Sequence, residues 1–392
     1  MTLLQQASAL HAAGDLPAAE ALYARILAQT PDEPNALNLL GTLKRQQGFL
    51  SVAVPLVRRA VALRPGAPVF QASLGALLAE TGALEEAVFL LKQALAQRPD
   101  DALSLRNLGQ ALCGLGQARA ALAPLRRAVK LRPDAAAQLA LAHACREAGA
   151  LPEARAAAEA AARDPDHAEQ ARFLLAALGA AAAPDRAPAA YVRDLFDQYA
   201  PRFEEDLTQK LGYRTPEALA DLLREAGVPA DRSLDVLDLG CGTGLSGRAL
   251  APFARRLEGL DLSPRMLDAA RAAGGYDALH EADLLDFLPA HPAGFDLVAA
   301  ADVLNYLGAL DGALAAIAGA LRPGGVAGFS LELGEVAPFA LGEGLRYRHA
   351  PAAIAAQCEK AGLAAVAERR AVLRVERGAP VQGLLLVLRR AG

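Results

Sequence analysis

The stretch LDVLDLGCGTGLSGRAL (residues 234–250) places an apolar run, a glycine-rich turn and the start of a helical pattern in immediate succession. Its first six residues are typical of a buried strand, because a buried helix needs a longer apolar run. The glycines that follow allow a sharp turn and leave bare backbone for a ligand to approach. The stretch therefore predicts one strand, loop and helix of a parallel α/β sheet, with a ligand site where the strand ends.

Further apolar runs alternate with helical patterns after this stretch. They are RLEGLDL (256–262), YDALHEADL (276–284), FDLVAAA (295–301) and GVAGFSLE (325–332). This alternation predicts a parallel sheet with helices on both faces. The segment 362–390 instead contains two strand-like runs around a polar turn with a glycine, which predicts an antiparallel hairpin that completes a seven-stranded sheet.

The charge beside the glycine turn distinguishes between two classes of ligand. Gly242 to Gly247 read G-x-G-x-x-G, and Asp261 follows about 20 residues later, which is the pattern of a dinucleotide site. Asp238, however, stands immediately before the turn, where its carboxylate would repel a pyrophosphate. A ligand with a sulfonium and an ammonium group would gain from that carboxylate. S-adenosylmethionine carries both groups, one adenosine and no phosphate, and Asp261 suits its ribose hydroxyls.

Five segments resemble, in order, the motifs of the class I S-adenosylmethionine-dependent methyltransferases. They are VLDLGCGTG (236–244), LEGLDLSPRMLDAA (257–270), HEADLLDF (280–287), FDLVAAADVLNYL (295–307) and LRPGGVAGFSLE (321–332). The resemblance covers residues 189–392 and implies a Rossmann-like α/β fold with S-adenosylmethionine as cofactor and no metal. It assigns the cofactor to Asp238, Gly240, Cys241, Gly242 and Gly244 around the methionine part, Asp261 on the ribose, Leu262 and Met266 against the adenine, Asp283 at its amine, Leu284 beside the ring and Ala301 in the wall.

Methyl transfer is an in-line displacement, so alignment of the acceptor and exclusion of water supply much of the rate, and a general base is optional. In the resembled fold, the position after the fourth strand faces the transferred methyl group, which makes Asn305 and Tyr306 the first catalytic candidates. His349 is a candidate base. Glu332 at the end of the fifth strand is a second-rank candidate, and the arginines of RYRH (346–349) are candidates for holding a carboxylate-bearing substrate.

The segment YVRDLFDQYAPRFEEDL (191–207) resembles the helical lid that precedes the first strand in many small-molecule and some protein methyltransferases. Tyr191, Tyr199 and Phe203 are spaced to lie near one helix face. Side chains on that face would either cover the cofactor or pack into the core, and the sequence leaves both interpretations open.

The first half of the chain repeats itself. Gly14, Gly48, Gly82, Gly116 and Gly149 stand 34, 34, 34 and 33 residues apart, and prolines keep the same spacing. Each unit predicts two helices, and small residues recur where the helices of a pair must approach closely. The period resembles the tetratricopeptide repeat over residues 2–167 and implies an all-α solenoid with a groove for a peptide or protein. The alternative is that the repeats only stabilise, dimerise or space the second domain.

The pattern fades after the fifth unit, which places the domain boundaries. Residues 1–180 are predicted to form the repeat domain with a capping helix at ARFLLAAL (171–178), residues 181–188 an Ala/Pro-rich linker, and residues 189–392 the methyltransferase domain with its helical lid. Repeats followed by a lid and such a domain resemble a group of bacterial predicted tetratricopeptide-containing methyltransferases.

The amino-acid composition limits the binding partners and the cellular compartment that we expect for the protein. With 40 Lys and Arg against 44 Asp and Glu, the net charge of −4 gives no reason to expect nucleic acid or an anionic membrane as the main partner. The four cysteines are far apart, and the N-terminus lacks the features of a secretory leader, so we expect a reduced, cytoplasmic protein. The favoured function is a methyltransferase whose repeats recruit a protein or partner-bound acceptor. The alternative is an interaction scaffold with a weakly active or inactive cofactor-binding domain, and a small-molecule acceptor also remains open.

Overall fold

The computed structural model describes residues 1–376 and 378–391. The chain divides by its internal contacts into two compact units, Met1–Ala171 and Arg172–Gly392. No helix in the described residues is both long and apolar enough to cross a membrane.

The first unit consists of consecutive helix pairs. Its helices up to residue 161, all within the described part of the chain, are α1 (Leu3–Ala12), α2 (Leu16–Gln29), α3 (Pro34–Gln46), α4 (Leu50–Leu63), α5 (Pro68–Glu80), α6 (Leu84–Gln97), α7 (Ala102–Gly114), α8 (Ala118–Leu131), α9 (Ala135–Ala148) and α10 (Leu151–Ala161). The repeating glycines follow the first helix of each pair with φ between +72° and +84°. Glycine adopts this left-handed conformation without the steric cost that other residues meet, which explains the period in the sequence.

Close helix packing inside each pair explains a second set of regularly spaced glycines. A Cβ atom at Gly41 would lie 2.3 Å from Val57 Cγ2, and one at Gly109 would lie 2.3 Å from Leu125 Cγ. Both distances are far below van der Waals contact, so a larger residue would force the helices apart. The structure thus confirms the all-α repeat architecture and the predicted close approach.

Helix α11 (Ala168–Ala177) crosses the division between the two units. In the second unit, its Phe173 is almost completely buried and packs on Tyr191 and Tyr347, with ring centroids 5.2 and 6.3 Å apart. The predicted boundary near residues 180–189 remains a prediction. Part of the predicted linker, residues 185–187, is hydrogen-bonded to residues 306–309.

The second unit contains a seven-stranded sheet within the described residues. Its strands, in the order β3-β2-β1-β4-β5-β9-β8, are β1 (Leu234–Leu239), β2 (Ala254–Asp261), β3 (Ala278–Glu281), β4 (Phe295–Ala300), β5 (Leu321–Glu332), β8 (Leu363–Glu376) and β9 (Ala379–Arg390). Strands β1 to β5 pair in parallel, and β9 pairs antiparallel with both β5 and β8. This confirms the predicted Rossmann-like sheet with its terminal hairpin.

Helices bury both faces of this sheet. The helices of this unit that follow α11 are α12 (Ala189–Tyr199), α13 (Phe203–Glu205), α14 (Thr215–Glu225), α15 (Leu245–Leu250), α16 (Pro264–Ala273), α17 (Leu284–Phe287), α18 (Asp311–Ala320) and α19 (Pro351–Lys360). On β1, Val236 belongs to the core that contains α14, and its neighbour Leu237 to the core that contains α18. Neither side chain is exposed to solvent. A central parallel strand buried on both sides explains why its sequence is a nearly continuous apolar run.

One element of the second unit was not predicted from the sequence. The run RYRH contributes to β7 (Tyr347–His349), which pairs with β6 (Phe339–Leu341) in a separate two-stranded sheet. Strands of three residues are too short to show a hydrophobic period, so the sequence did not reveal this hairpin.

Candidate active site

A cavity of about 500 Å³ opens where the parallel strands end, within the range of small-molecule sites. The loops after β1 to β4, the segment 186–213 and the final hairpin all contribute to its wall. The lining residues include Arg186, Phe196, Tyr199, Phe203, Tyr213, Gly240, Gly242, Asp261, Leu262, Ala282, Asp283, Leu284, Ala301, Asp302, Val303, Tyr306, Arg346, Arg374 and Glu376. This set contains seven of the residues predicted to hold the cofactor.

The glycine turn after β1 brings bare backbone to the cavity. Gly240 and Gly242 have φ of +60° and +54°, in the left-handed region that favours glycine. A Cβ atom at Gly240 would lie 2.4 Å from Val303 Cγ2, whereas one at Gly242 would first meet the Phe203 ring at 3.4 Å. The turn therefore needs glycine for its conformation at both positions and also for space at Gly240.

Asp238 lies under this turn with a side chain that is completely buried. Its Oδ2 accepts hydrogen bonds from Ser246 Oγ and Tyr276 Oη, each 2.6 Å long. Its Oδ1 has no hydrogen-bond partner among the described residues. Burial raises the pKa of Asp238 to about 7, against the opposing effect of the two hydroxyls. An unsatisfied buried carboxylate oxygen is a good acceptor for a cationic N–H donor, such as the ammonium group of S-adenosylmethionine.

Asp261, at the end of β2, holds the glycine turn in place and also faces the cavity. Its Oδ2 accepts from the Gly242 N–H at 2.9 Å, and its Oδ1 accepts from the Ser263 N–H at 2.8 Å. Burial raises its pKa to about 6. A carboxylate has about four acceptor positions, so the two bonds leave capacity for the hydroxyls of a ribose. Leu262 adds an apolar surface beside it.

Asp283 follows β3 and caps the short helix α17. Its Oδ1 accepts from the Leu285 N–H at 2.9 Å, and its Oδ2 accepts from Arg186. Leu284 lines the cavity next to it. This combination of carboxylate and apolar side chain suits the amine and the ring of an adenine. Ala301 lines the wall after β4.

Three of the residues predicted to bind the cofactor lie behind the wall, in addition to Asp238. Cys241 is buried, and its N–H donates to the Leu260 carbonyl oxygen at 3.0 Å. Gly244, with φ of +95°, starts helix α15. Met266 is fully buried on α16. None of these three residues lines the cavity.

The catalytic candidates also divide into one residue that lines the cavity and two that are buried outside it. Tyr306 lines the cavity, and burial raises its pKa, so its hydroxyl is a donor at neutral pH. Asn305 is buried, accepting from the Glu332 N–H at 2.9 Å and donating to Asp302 Oδ1 at 3.1 Å. His349 is also buried, with Nε2 donating to the Gly308 carbonyl oxygen at 3.1 Å. Burial lowers the pKa of His349, so the imidazole is neutral.

A network of charged side chains forms the wall beyond Tyr306. Arg374, only 5% exposed, donates to Glu376 Oε1 at 2.6 Å and to Glu332. Arg346 donates to Glu332 Oε1 at 2.9 Å. Arg348, by contrast, is mostly exposed and is not a lining residue of the cavity. The predicted role of the RYRH arginines in binding a carboxylate therefore applies to Arg346 alone, and Arg346 is already paired with glutamates.

The segment before β1 covers the cavity with aromatic side chains. The Phe196 ring meets Tyr306 edge-on at 5.6 Å, and the Tyr199 ring meets Phe203 at 5.4 Å. Burial raises the pKa of Tyr199 to about 12. Asp197 ties this segment to the site by accepting from Ser263 Oγ at 2.6 Å. Tyr199 and Phe203 thus lie on the cavity wall, whereas Tyr191 packs on Phe173.

Comparisons with known proteins agree with the domain type that the sequence predicts for each half of the chain. Residues 237–329 match the family model of a methyltransferase domain, and residues 38–102 and 106–168 match that of the tetratricopeptide repeat. Methyltransferase-like protein 27 of Homo sapiens is 34% identical over 39% of this chain and 54% of its own length. Ubiquinone biosynthesis O-methyltransferase of Aromatoleum aromaticum is 33% identical over 27% of this chain and 46% of its own length. The chain thus spans about half the length of these two relatives.

A solved structure also resembles the chain. It is the Burkholderia thailandensis 1,6-didemethyltoxoflavin-N1-methyltransferase with bound 1,6-didemethyltoxoflavin and S-adenosylhomocysteine, 22% identical, with a TM-score of 0.42 over 54% of this chain and 93% of that one. The family matches confirm the predicted combination of domains. This chain therefore combines segments that match the tetratricopeptide repeat with a segment that matches a methyltransferase domain.

Proposed function

We propose that the chain is an active methyltransferase whose repeats recruit a protein or partner-bound acceptor. The observation that carries the proposal is one cavity that combines Gly242, Asp261 and Asp283 with Tyr306. The first three suit an adenosine cofactor, and the fourth follows β4, the next strand of the sheet after β1. The cofactor residues and an acceptor-facing hydroxyl therefore share one wall.

The residues present fit S-adenosylmethionine, which supplies a methyl group on a positively charged sulfur. Asp238 would accept the ammonium group on its unsatisfied Oδ1, Asp261 the ribose hydroxyls and Asp283 the adenine amine. The turn through Gly240 and Gly242 would present bare backbone to the methionine part. Cys241 and Gly244, which lie behind the wall and belong to the turn, would act by holding it.

We assign the acceptor to the part of the cavity that Tyr306 shares with Arg346 and Glu376. The Tyr306 hydroxyl would donate a hydrogen bond that orients the acceptor, since its raised pKa keeps the proton on the oxygen. Phe196, packed edge-on against that ring, would exclude water. These side chains align and desolvate the reactants, which is sufficient for an in-line displacement without a general base.

The polar part of the cavity wall beyond Asp261 and Asp283 favours an enzyme over a scaffold that only binds the cofactor. A cofactor bound only for structural reasons has no need of further cavity lined by Tyr213, Arg374 and Glu376. For the repeats, the family match supports binding of a protein or peptide in their groove. The cytoplasm remains the proposed location, since the four cysteines of the described residues are free.

The proposal is tested by transfer of isotope-labelled methyl groups from S-adenosylmethionine into cell lysate, resolved into protein and small-molecule fractions. The matched control is Tyr306→Phe, which keeps the ring against Phe196 and removes the hydroxyl. We expect label in the protein fraction with the wild-type chain and much less with the variant. Label in the small-molecule fraction alone would show that the acceptor is a metabolite and not a recruited protein. No label in either fraction, with intact cofactor binding, would favour the scaffold.

A further inference from the structure

The segment 184–187, which we call the strap, is fixed to the cavity wall by its backbone. The Ala187 N–H donates to the Tyr306 carbonyl oxygen at 2.8 Å, and the Gly308 N–H donates to the Asp185 carbonyl oxygen at 2.8 Å. Tyr347 Oη donates to the Pro184 carbonyl oxygen at 2.7 Å. Ala187 is only 2% exposed. The strap is therefore part of the site, although its sequence is typical of a linker.

The side chain of Arg186 extends from the strap to Asp283. It donates from Nη2 to Asp283 Oδ2, while the other oxygen of this carboxylate accepts from the Leu285 N–H at 2.9 Å. The Asp283 side chain is 15% exposed and that of Arg186 is 36% exposed, so the ion pair lies at the rim of the cavity. Both residues line the cavity. A carboxylate with one donor on each oxygen has a fixed orientation and still has two acceptor positions free.

The cavity wall beside this ion pair is apolar, and we call this part of the cavity the slot. Ala282 and Leu284 flank Asp283 in the chain, and both line the cavity together with Leu262. An aromatic base in this slot would direct its amine to the carboxylate. A planar guanidinium is well suited to lie along the edge or face of such a base, since arginine stacks on aromatic rings more readily than lysine does.

We propose that Arg186 belongs to the cofactor site, where it positions Asp283 to accept the adenine amine and contacts the base. This inference rests on the proposed function, because it assumes an adenosine cofactor. It adds a residue that lies before the predicted methyltransferase domain and comes from the strap. Arg186 acts on the amine through another side chain and is thus a positioning residue.

The test is calorimetric titration of the full-length chain with S-adenosylhomocysteine and with its inosine analogue, in which a carbonyl oxygen replaces the amine. The variants are Arg186→Ala and Arg186→Lys, and Arg193→Ala, an exposed arginine on α12, is the matched control. We expect Arg186→Ala to raise the Kd for S-adenosylhomocysteine about tenfold, which is about 1.4 kcal/mol. Arg186→Lys should raise it less, and Arg193→Ala should leave it within about twofold.

The inosine analogue separates positioning from a general structural effect. The wild-type chain should bind this analogue about tenfold more weakly than S-adenosylhomocysteine, and Arg186→Ala should reduce that preference to about threefold or less. Hydrogen exchange at the Ala187 amide should stay slow in Arg186→Ala, because the backbone bonds of the strap remain.

An unchanged Kd in Arg186→Ala, or an unchanged preference for the amine, would overturn the assignment of Arg186 while leaving the proposed function intact. Fast exchange at Ala187 in that variant would also overturn it, since the affinity loss would then come from a detached strap. A wild-type chain that binds no S-adenosylhomocysteine would overturn the proposed function itself.

Discussion

The Tyr276 hydroxyl donates a 2.6 Å hydrogen bond to Oδ2 of the buried Asp238, under the glycine turn. The tyrosine ring occupies the space next to Gly247, where a Cβ atom would lie 2.4 Å from it. Together with Ser246, this hydroxyl holds one carboxylate oxygen and leaves the other, Oδ1, without a partner in the described part of the chain. The geometry therefore leaves one oxygen of Asp238 able to accept a further hydrogen bond.

Replacement of Tyr276 by Phe should weaken cofactor binding in a pH-dependent way. Burial raises the pKa of Asp238 to about 7, and the loss of one hydroxyl donor should raise it further. If the cofactor ammonium binds the ionised carboxylate, as we propose, the affinity of the wild type for the cofactor should increase between pH 6 and 8. The variant should bind about tenfold more weakly at pH 7 and approach the wild type at pH 9. Calorimetry across this pH range provides the check, and a pH-independent deficit would show that Tyr276 acts only through packing.

The free protein should lose stability over the same pH range. The pKa values of Asp238 and Asp261, about 7 and about 6, lie above those of the unfolded chain, so the folded state binds more protons and its stability falls as pH rises. At about 1.4 kcal/mol per pKa unit, we expect a decrease of about 2–4 kcal/mol between pH 5 and 8. The measurement is the Tm of thermal unfolding, taken from the transition that moves when S-adenosylhomocysteine is added. Asp238→Asn should remove much of the dependence, and an equal slope in that variant would contradict this explanation.

Substitution of Tyr306 by Phe separates chemistry from cofactor binding. The ring would keep its edge-on contact with Phe196, whereas the hydroxyl of this cavity-lining residue would be lost. We expect kcat to fall about 10- to 100-fold, with the Kd for S-adenosylhomocysteine within about twofold of the wild type. Steady-state kinetics and calorimetry measure the two quantities. If kcat falls and the Kd for S-adenosylhomocysteine rises to a similar extent, Tyr306 belongs to the cofactor pocket.

Removal of the repeats should affect acceptor binding more than turnover. The truncation should keep α11, because Phe173 packs on Tyr191 and Tyr347, and we therefore choose deletion of residues 1–167. The strap and the cavity remain in this shortened chain. Loss of a docking groove should raise the KM for the natural acceptor about 10-fold or more with a smaller change in kcat. An unchanged KM would assign the repeats to assembly or localisation, and near-ultraviolet circular dichroism would check that the shortened chain is folded.

The parts of the molecule that the sequence predicts are those with a local pattern. Gly14 and Gly48 mark helix ends, because the left-handed turn favours glycine wherever it occurs. Asp261 and Asp283 follow strands, and the carboxyl ends of parallel strands lie along one edge of the sheet. Such positions can be located without knowledge of the tertiary contacts.

The side chains that the sequence analysis missed make contacts between distant positions. Tyr276 reaches Asp238 across 38 residues, and Arg186 reaches Asp283 across 97. Nothing in the sequence near Tyr276 or Arg186 points to either contact. Arg374 lies on a strand of alternating polar and apolar residues, a pattern typical of an exposed arginine. In the structure it is buried, because it forms ion pairs with three carboxylates. The three-residue strands β6 and β7 are too short to produce a pattern.

The most direct test of the central claim, that this cavity is a site for S-adenosylmethionine, is calorimetric titration of the full-length chain with S-adenosylhomocysteine and with NAD. We predict one S-adenosylhomocysteine per chain and negligible binding of NAD, whose pyrophosphate the Asp238 carboxylate would repel. Asp261→Ala should weaken S-adenosylhomocysteine binding by about 1–3 kcal/mol, because it removes charge-assisted hydrogen bonds to the ribose. Tighter binding of NAD than of S-adenosylhomocysteine, or an affinity that does not change in Asp261→Ala, would contradict the account.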